Sequence, residues 1–390
     1  MRLEELREFE LTDDQRAVRR LAEDFAQKEL APFVAGYEER GEWPADKVKR
    51  MGELGFLGAI IPPEWGGSGL DYVSYGLICE EVARADWVCA SVVSIANSLV
   101  GSSLLHYGDE SQKERYLRPL AGGRLVASAG LTEPSGGSDL ASLKTRAVRD
   151  GGHYVLNGSK TFISHASHAD IILVLATVDP NLGHRGICAF VMERDTPGLT
   201  IRPLALHGIR RGNTCELFFD DARVPAANLV GQEGQGFKVI TSALDTGRFS
   251  VAARCVGQAQ ACVDASLLYA RQREQFGQEI GRFQMVQQLL ADMIVSVEAA
   301  RQMVYRVGRL KDAGVPRASF EASMAKLFAS DVGMKAVLDA IQIHGGYGLA
   351  AELPLGRFLQ EAKVLQIGEG TNQLHRALIA EYALGYRKMS

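Results

Sequence analysis

Residues 360–376 read QEAKVLQIGEGTNQLHR, and this stretch predicts the junction of two helices near the C-terminus. Glu369 stands between Gly368 and Gly370, with helix-forming sequence on both sides. Glycine costs a helix about 1 kcal/mol relative to alanine, so the pair predicts a break, and Thr371 is placed to cap the second helix. A carboxylate on such bare backbone can approach a ligand closely, although an isolated Gly-Glu-Gly is more often a solvated loop.

The pattern of the sequence divides the chain into three parts. Residues 1–126 have helical periodicity. Residues 127–236 contain strand-like segments separated by Pro and Gly, and helical periodicity returns from residue 237 onward. We therefore predict an α+β protein with an N-terminal helical domain (1–126), a middle antiparallel β-barrel-like domain (127–236) and a C-terminal four-helix bundle (237–390).

Within the middle part, residues 155–163 read VLNGSKTFI. The pattern predicts a strand, a turn at Asn157-Gly158 and a second strand. Phe162 and Ser164 are one residue apart, so on a regular strand their side chains point to the same side. They could stack on and hydrogen-bond to a planar cofactor, while a plain core phenylalanine is the alternative.

Two further stretches carry polar groups suited to ligands. Residues 130–140 read GLTEPSGGSDL, and their backbone N–H groups and hydroxyls could donate to a phosphate or an electron-rich ring. Residues 271–277 read RQREQFG, where basic residues precede a glycine turn. A surface loop and a solvated helix end are the respective alternatives.

The bulk properties of the 390 residues exclude several classes of function. The net charge of −4 gives no support for a nucleic-acid partner. The six cysteines form no Cys-x-x-Cys pair and no metal-ligand spacing, so we expect reduced thiols and no metal site. The apolar runs are interpreted as too short to cross a membrane. The acidic, helical sequence at 1–6 is unlike a transit peptide, and a cytoplasmic location in a bacterium is expected.

Taken together, the motifs resemble the FAD-dependent acyl-CoA dehydrogenases over nearly the whole chain, in the family's order and spacing. No single motif is decisive, but five or six in register are highly specific. They are Thr132-Glu133-Pro134 with Gly137-Ser138-Asp139, Asn157-Gly158-Ser159-Lys160, Arg273-Glu274-Gln275-Phe276-Gly277, Gln342-Ile343-His344-Gly345-Gly346 and Glu369-Gly370-Thr371.

The resemblance implies a set of residues around FAD. Those at the flavin and its pyrophosphate would be Leu131, Thr132, Ser138, Phe162, Ser164, Thr371 and Gln373. Those reaching the adenine half of the FAD in a partner subunit would be Arg273, Phe276, Gln284, Gln342 and Gly346.

The resemblance also implies the reaction, which is removal of a proton from Cα and a hydride from Cβ of an acyl thioester. Glu369 matches the proton acceptor, and burial should raise its pKa toward working pH. Its backbone N–H, with a hydroxyl of the ribityl chain, would stabilise the enolate oxygen. Some members carry the base at the position of Gly247, which cannot act here. Substrate contacts would come from Ser138, Asp245, Arg248 and Gly370.

Four departures from the family pattern bear on the ligands. Phe162 and Ser164 stand where Trp and Thr are common, which keeps an aromatic ring and a hydroxyl. Gly368 stands where straight-chain enzymes often carry Tyr, so a short branched or cyclic acyl group is expected. Glutaryl-type members carry an Arg where this chain has Ala90, so a terminal carboxylate on the substrate is not expected.

Partners and competing functions follow from the same resemblance. A homotetramer and an electron-transfer flavoprotein as acceptor are implied. An acyl-carrier-protein thioester could replace the CoA ester, and flavin oxygenases or oxidases share the scaffold. Those last enzymes generally lack a Glu in a Glu-Gly-Thr loop, so Glu369 argues against them.

Overall fold

The computed structural model describes residues 11–207, 209–315 and 317–387, so the expectation for residues 1–6 lies outside the described residues. The chain is helical, then mainly β, then helical again. The α-helices are α1 Asp13–Asp24, α2 Ala31–Arg40, α3 Ala45–Glu53, α4 Tyr72–Ala85, α5 Trp87–Ile95, α6 Ser103–Tyr107, α7 Glu110–Gln112, α8 Arg118–Ala121, α9 Gly236–Gln272, α10 Gln284–Asp312, α11 Ser319–His344, α12 Leu355–Leu365 and α13 Asn372–Ala383.

Shorter helical turns connect these elements. The π-helical turns Phe25–Leu30, Ala96–Ser102 and Lys113–Leu117 each continue one α-helix into the next. The 3₁₀ turns are Phe56–Gly58, Pro63–Trp65, Leu140–Ser142, Pro180–Gly186, Arg210–Gly212, Ala226–Asn228, Ile280–Arg282 and Gly345–Leu349.

The middle part forms a sheet with the strand order β6-β7-β3-β2-β4-β5-β8. Strands β1 and β2 are parallel to β4, and the other pairs are antiparallel. The strands are β1 Ala127–Gly130, β2 Arg146–Asp150, β3 His153–Ile163, β4 Ile171–Thr177, β5 Ile187–Glu193, β6 Leu199–Pro203, β7 Cys215–Pro225 and β8 Leu229–Val230, with a separate short hairpin of β9 Glu274–Gln275 and β10 Gln278–Glu279.

The predicted turn at Asn157-Gly158 is wrong. Strand β3 runs through both residues, with a register shift between Leu156 and Gly158 where it pairs with β7. Gly158 has φ 142°, and a Cβ there would lie 2.8 Å from the Cα of Thr145. Glycine at this point therefore serves a bulge and a close backbone approach. The reversal between β2 and β3 lies at Gly151 instead, where φ is 59°.

Strand β4 lies between two hydrophobic cores and is buried along its whole length. Its alternate residues Ile171, Leu173 and Leu175 belong to the large core shared with the helices. The residues between them, Ile172 and Val174, belong to a second core enclosed by the sheet itself. This two-sided burial explains the near-continuous apolar sequence of the strand.

Helix α9 is the long axis of the helical part and packs mainly against α4 and α11. It has 37 residues, which correspond to about 55 Å of helix. A Cβ at Gly257 would lie 2.0 Å from the carbonyl oxygen of Glu80, so glycine permits direct backbone contact between α9 and α4. The same helix presents Gly247 to the Glu369 loop near its beginning.

One helical segment is longer than expected from the prediction that no apolar run could cross a membrane. Trp87–Tyr107 has 21 residues and a mean hydropathy of 1.7, so it is long and apolar enough to span a bilayer, contrary to the expectation about length. However, 94% of the apolar window is buried inside the protein, which is typical of a core helix. The six cysteines are free and buried, as expected. The described residues contain no cluster of His, Cys, Asp or Glu able to hold a metal.

Candidate active site

The Glu369 loop joins α12 to α13 in an unusual backbone conformation. Glu369 has φ 54° and Gly370 has φ 99°, and the first value is uncommon for a residue with a side chain. Thr371 caps α13, as predicted. The Lys326 ammonium donates to the carbonyl oxygen of Gly370 at 2.7 Å and to Oδ1 of Asn372 at 3.0 Å. These contacts hold the loop in place from α11.

The carboxylate of Glu369 rests against the bare backbone of Gly247. A Cβ at Gly247 would lie 1.9 Å from Oε2. Oε2 is buried and has no hydrogen-bond partner in the part of the chain that the structure describes. Burial raises the pKa of Glu369 to about 7, although the charges of Arg254, Arg248 and Lys326 act to lower it. The direction is the one expected from the sequence, and the group can exchange a proton near neutral pH.

A buried ion pair anchors the glycine-rich segment after β1. Nζ of Lys160 lies 2.8 Å from Oε1 of Glu133, and the two side chains are 0% and 4% exposed. The carboxylate also accepts from the N–H groups of Lys144 and Thr145, while Lys160 donates to the carbonyl oxygen of Leu131. Burial acts to raise the pKa of Glu133, but Lys160 and these donors outweigh it and lower the pKa.

We expect Lys160→Met to lower the thermal unfolding midpoint markedly and to weaken retention of the cofactor. The substitution leaves Glu133 buried without its partner, and breaking one side of a buried pair typically costs about 3–5 kcal/mol. The control is Arg202→Met, which breaks the ion pair of Arg202 with Glu216. The side chain of Arg202 is 65% exposed, so the midpoint should change little. Calorimetry checks both, and equal small shifts would contradict the anchoring role.

Phe162 lies beside this anchored segment. The N–H of Thr161 donates to the carbonyl oxygen of Thr132 at 2.9 Å, which ties the end of β3 to the glycine-rich segment. Phe162 is 60% exposed and has φ 59°, and the strand ends at Ile163. Regular alternation therefore does not relate Phe162 to Ser164, contrary to the sequence argument. The exposure of the ring excludes the alternative of a core phenylalanine.

A polar cavity of about 170 Å³ lies near the start of α9. Asp245 lines it, accepts from Ser319 and Arg248, and is 7% exposed. Burial and the charge of Lys311 lower the pKa of His106. His106 also lines the cavity, and the other functional groups in the cavity wall are the hydroxyls of Tyr72, Ser102, Ser242 and Thr246 and the cations Lys311 and Arg317. His106, Lys311 and Arg317 were not predicted from the sequence, because they come from three separate segments and carry no local motif.

The residues assigned to the adenine half form an exposed group far from Glu369. Arg273 follows the last residue of α9, whereas Gly247 lies near its beginning. The guanidinium of Arg273 lies 5.8 Å from the ring centre of Tyr347, which brings the two segments together. Phe276 is 94% exposed. Gln284, Gln342 and Gly346 are exposed as well. Most of the length of α9 therefore separates this group from the carboxylate.

The remaining predicted residues lie around the two loops. Leu131, Thr132, Ser164 and Thr371 are partly buried, whereas Ser138 and Gln373 are exposed. His165, in the turn after β3, has its pKa lowered to about 3 by burial and by the charge of Arg254, which also acts on Glu369. This shared neighbour connects the turn that follows Phe162 with the carboxylate.

The residues present fit FAD. Phe162 offers an exposed ring for a planar ligand, and the Thr132 segment beside it is fixed by a buried ion pair. Nε of Arg248 and Oε2 of Glu369 are buried without partners in the described residues. Buried polar atoms normally have partners, so these two atoms indicate that polar ligand groups bind in this region.

Comparison with known proteins places this arrangement in a family. Models of the acyl-CoA dehydrogenase N-terminal, middle and C-terminal domains match residues 12–124, 128–222 and 234–384. A Bacillus subtilis protein named "Probable acyl-CoA dehydrogenase YngJ" is 46% identical over 378 residues, which is 96% of this chain and 99% of the relative. The chain belongs to the acyl-CoA dehydrogenase family, and it is therefore an FAD-dependent oxidoreductase.

Solved structures agree. Butyryl-CoA dehydrogenase from Megasphaera elsdenii has a TM-score of 0.93 and 40% identity, covering 96% of this chain and 99% of that one. A structure titled for the electron transferring flavoprotein of Acidaminococcus fermentans has a TM-score of 0.94 and 42% identity, and it also covers 96% of this chain and 99% of that one. The prolyl acyl carrier protein oxidase AnaB has a TM-score of 0.89 and 33% identity, covering 95% of this chain and 99% of that one. The predicted fold class is confirmed.

Proposed function

We propose that this chain oxidises a short acyl-CoA to its trans-2-enoyl-CoA, with Glu369 as the base that removes the Cα proton. One observation carries the proposal. A carboxylate with pKa about 7 rests on the bare backbone of Gly247, and its buried Oε2 has no partner in the described residues. A base of this kind is half ionised at neutral pH and has a free oxygen for a proton.

The protein groups around Glu369 support the removal of a weakly acidic proton. No hydrogen bond from the backbone N–H of Glu369 is present within the described part of the chain. This N–H is free to donate a hydrogen bond to the enolate oxygen, and one such donor is typically worth about 3–4 kcal/mol. Lys326 holds the loop that carries it. FAD, when bound, supplies the acceptor for the hydride that leaves Cβ.

The remaining site residues are proposed to bind the two ligands. Asp245, Arg248, Gly370 and Ser138 would hold the thioester arm. The cations Lys311 and Arg317, with the N–H of the neutral His106 imidazole, suit the phosphates of CoA. The flavin would be held by Leu131, Thr132, Ser138, Phe162, Ser164, Thr371 and Gln373.

The acyl group is proposed to be short and branched or cyclic. A Cβ at Gly368 would have only one neighbouring atom within 4 Å, the carbonyl oxygen of Val364 at 3.4 Å. There is therefore room beside the base for a substituent on the acyl chain. The name of the Megasphaera elsdenii enzyme gives a straight butyryl substrate for that protein, so the comparison leaves this point as our proposal.

We expect Gly368→Tyr to narrow this space and to change the substrate preference. The ratio of kcat/KM for isobutyryl-CoA to that for butyryl-CoA should fall about 10-fold or more, because a branch next to the base then meets the ring. Gly356→Ala serves as the control, since a Cβ there has no atom within 4 Å. An unchanged ratio in Gly368→Tyr would contradict the role of Gly368.

The test of the proposed function is anaerobic mixing of the FAD-loaded protein with a panel of acyl-CoAs. Butyryl, hexanoyl, isobutyryl, 2-methylbutyryl and cyclohexanecarbonyl esters are each followed by bleaching of the visible flavin band. Bleaching, with the matching enoyl-CoA as product, supports the reaction. Faster reaction of the straight esters than of every branched or cyclic ester would contradict the acyl assignment.

A carrier-protein thioester is the second candidate substrate. The structural similarity to an acyl carrier protein oxidase supports it. Acyl-CoA and the same acyl group on a carrier protein should be compared in parallel. Bleaching by the carrier-bound group alone would replace CoA in the proposal. Rapid O₂ consumption by the reduced protein would instead favour an oxidase.

The partners of the protein are also proposed. The exposed group of Arg273, Phe276, Gln284, Gln342 and Gly346 is too far along α9 to serve the FAD bound beside Glu369 in the same chain. We propose that it contacts the adenine half of a neighbouring subunit's FAD in a homotetramer. An electron-transfer flavoprotein is the proposed acceptor, and a cytoplasmic location is proposed with it.

A further inference from the structure

Arg254, on α9, is a buried arginine that forms no salt bridge with any described residue. It is 4% exposed, and its Nε and Nη2 atoms have no hydrogen-bond partner among the described residues. The other buried arginines of the described chain are paired with carboxylates: Arg19 with Glu81, Arg211 with Asp86 and Glu38, and Arg301 with Glu80 and Glu298. An unpaired buried charge is strongly unfavourable, so Arg254 calls for a partner that is not part of the described chain.

Trp87 provides a second buried donor next to Arg254. The guanidinium carbon lies 4.8 Å from the centre of a Trp87 ring. Trp87 is 5% exposed, and its Nε1 atom also lacks a partner in the described residues. Arginine and the indole N–H are donors only. A ligand that satisfies both must therefore offer acceptor atoms, and the guanidinium favours a negative charge.

Arg254 and the Glu369 carboxylate act on each other through their charges. Gly247 and Arg254 are seven residues apart on α9, which places them on one face about 10 Å apart along the axis. Side chains on a helix lean toward its N-terminus, so Arg254 leans toward Gly247 and Glu369. Its charge is the strongest of the cations that act on the pKa of Glu369, and it also lies near Cys79 and Tyr75.

We propose that Arg254 and Trp87 bind an ionised carboxylate at the far end of the acyl group, so that the preferred substrate is the monothioester of a dicarboxylic acid. This inference rests on the proposed function and names its substrate class. It reverses the expectation drawn from Ala90, which was that the substrate carries no terminal carboxylate. The guanidinium comes instead from α9, while the space at Gly368 remains available for a branch.

The experiment compares CoA esters of equal carbon number, with and without the second carboxylate: glutaryl and pentanoyl, adipyl and hexanoyl, pimelyl and heptanoyl. Anaerobic flavin bleaching gives kcat/KM for each. We expect at least one dicarboxylic ester to exceed its neutral counterpart about 10-fold in the wild type. In Arg254→Gln the ratio within that pair should fall about 100-fold, and Arg254→Lys should restore part of it. Arg306→Gln, which removes a charge from an exposed position on α10, should leave the ratio unchanged.

A second readout separates ligand binding from a structural role. Arg254→Gln should raise the thermal unfolding midpoint of the ligand-free enzyme, because it removes an unpaired buried charge. A structural arginine would lower the midpoint when replaced. If the wild type reduces its flavin with neutral esters and rejects all three dicarboxylic esters, the inference is overturned and the proposed function stands. If no ester of either series bleaches the flavin, and none of the branched and cyclic esters of the first panel does so, both fail.

Discussion

Glu369→Gln should reduce the rate of flavin reduction by an acyl-CoA about 10³–10⁴-fold at pH 8. The amide keeps the shape of the side chain but cannot accept the Cα proton, and general base catalysis is typically worth about 10²–10⁴-fold. FAD should stay bound, because the ion pair of Glu133 and Lys160 that anchors the glycine-rich segment is untouched. Stopped-flow absorbance under anaerobic conditions measures the rate.

The same variant has a predicted effect on stability. The pKa of Glu369 is higher in the folded protein, about 7, than its ordinary value of 4.5, so the folded state binds the proton more tightly. Wild-type stability is therefore lost as the pH rises from about 4.5 to 7. Glu369→Gln should raise the unfolding midpoint at pH 8 and change it little at pH 4. Glu352→Gln, at an exposed position, is the control. A lower unfolding midpoint of Glu369→Gln than of the wild type at pH 8 would contradict the buried, unpaired state of the carboxylate.

Gly247→Ala should reduce flavin reduction at least about 100-fold without removing any catalytic group. The added Cβ would lie 1.9 Å from Oε2 of Glu369, so the carboxylate must move away from its position. Displacement of a catalytic group by about 1 Å can cost 10²-fold in rate. Rates are measured with the best substrate of the panel, together with FAD content.

The matched control is Gly333→Ala on α11. Its Cβ would meet only the carbonyl oxygen of Cys255 at 3.7 Å and the Cβ of Cys255 at 3.9 Å, which are ordinary contacts. Because alanine favours a helix over glycine by about 1 kcal/mol, this variant should be as active as the wild type and slightly more stable. Equal activity in Gly247→Ala and Gly333→Ala would show that Glu369 does not need the bare backbone of α9. The exchange Gly247→Glu with Glu369→Gly should recover part of the activity.

Local sequence predicted the catalytic loop well, because its signals are local. Two glycines around Glu369 predicted the helix break, and Thr371 predicted the cap of α13. The turn at Asn157-Gly158 failed for the opposite reason. Pairing of β3 with both β2 and β7 overrides the turn preference, and Gly158 is needed for its contact with Thr145.

The groups that surround Glu369 could not be derived from local pattern. Lys326 comes from α11, and Gly247 and Arg254 come from α9, while Trp87, which contacts Arg254, comes from α5. Only the folded chain shows which of them contact the loop. One signal was available for Arg254, which interrupts an otherwise small and apolar run at residues 249–256. A lone cation in a buried helical stretch indicates either an ion pair or a ligand.

The most direct test of the account is the pH dependence of flavin reduction in a single turnover. The wild type and Glu369→Gln are mixed anaerobically with the same acyl-CoA between pH 5.5 and 9. We expect the wild-type rate to rise with pH through an apparent pKa near 7, as Glu369 loses its proton, and the residual rate of the variant to lack this rise. A wild-type rate that does not change over this range, or the same rise in both proteins, would contradict Glu369 as the base.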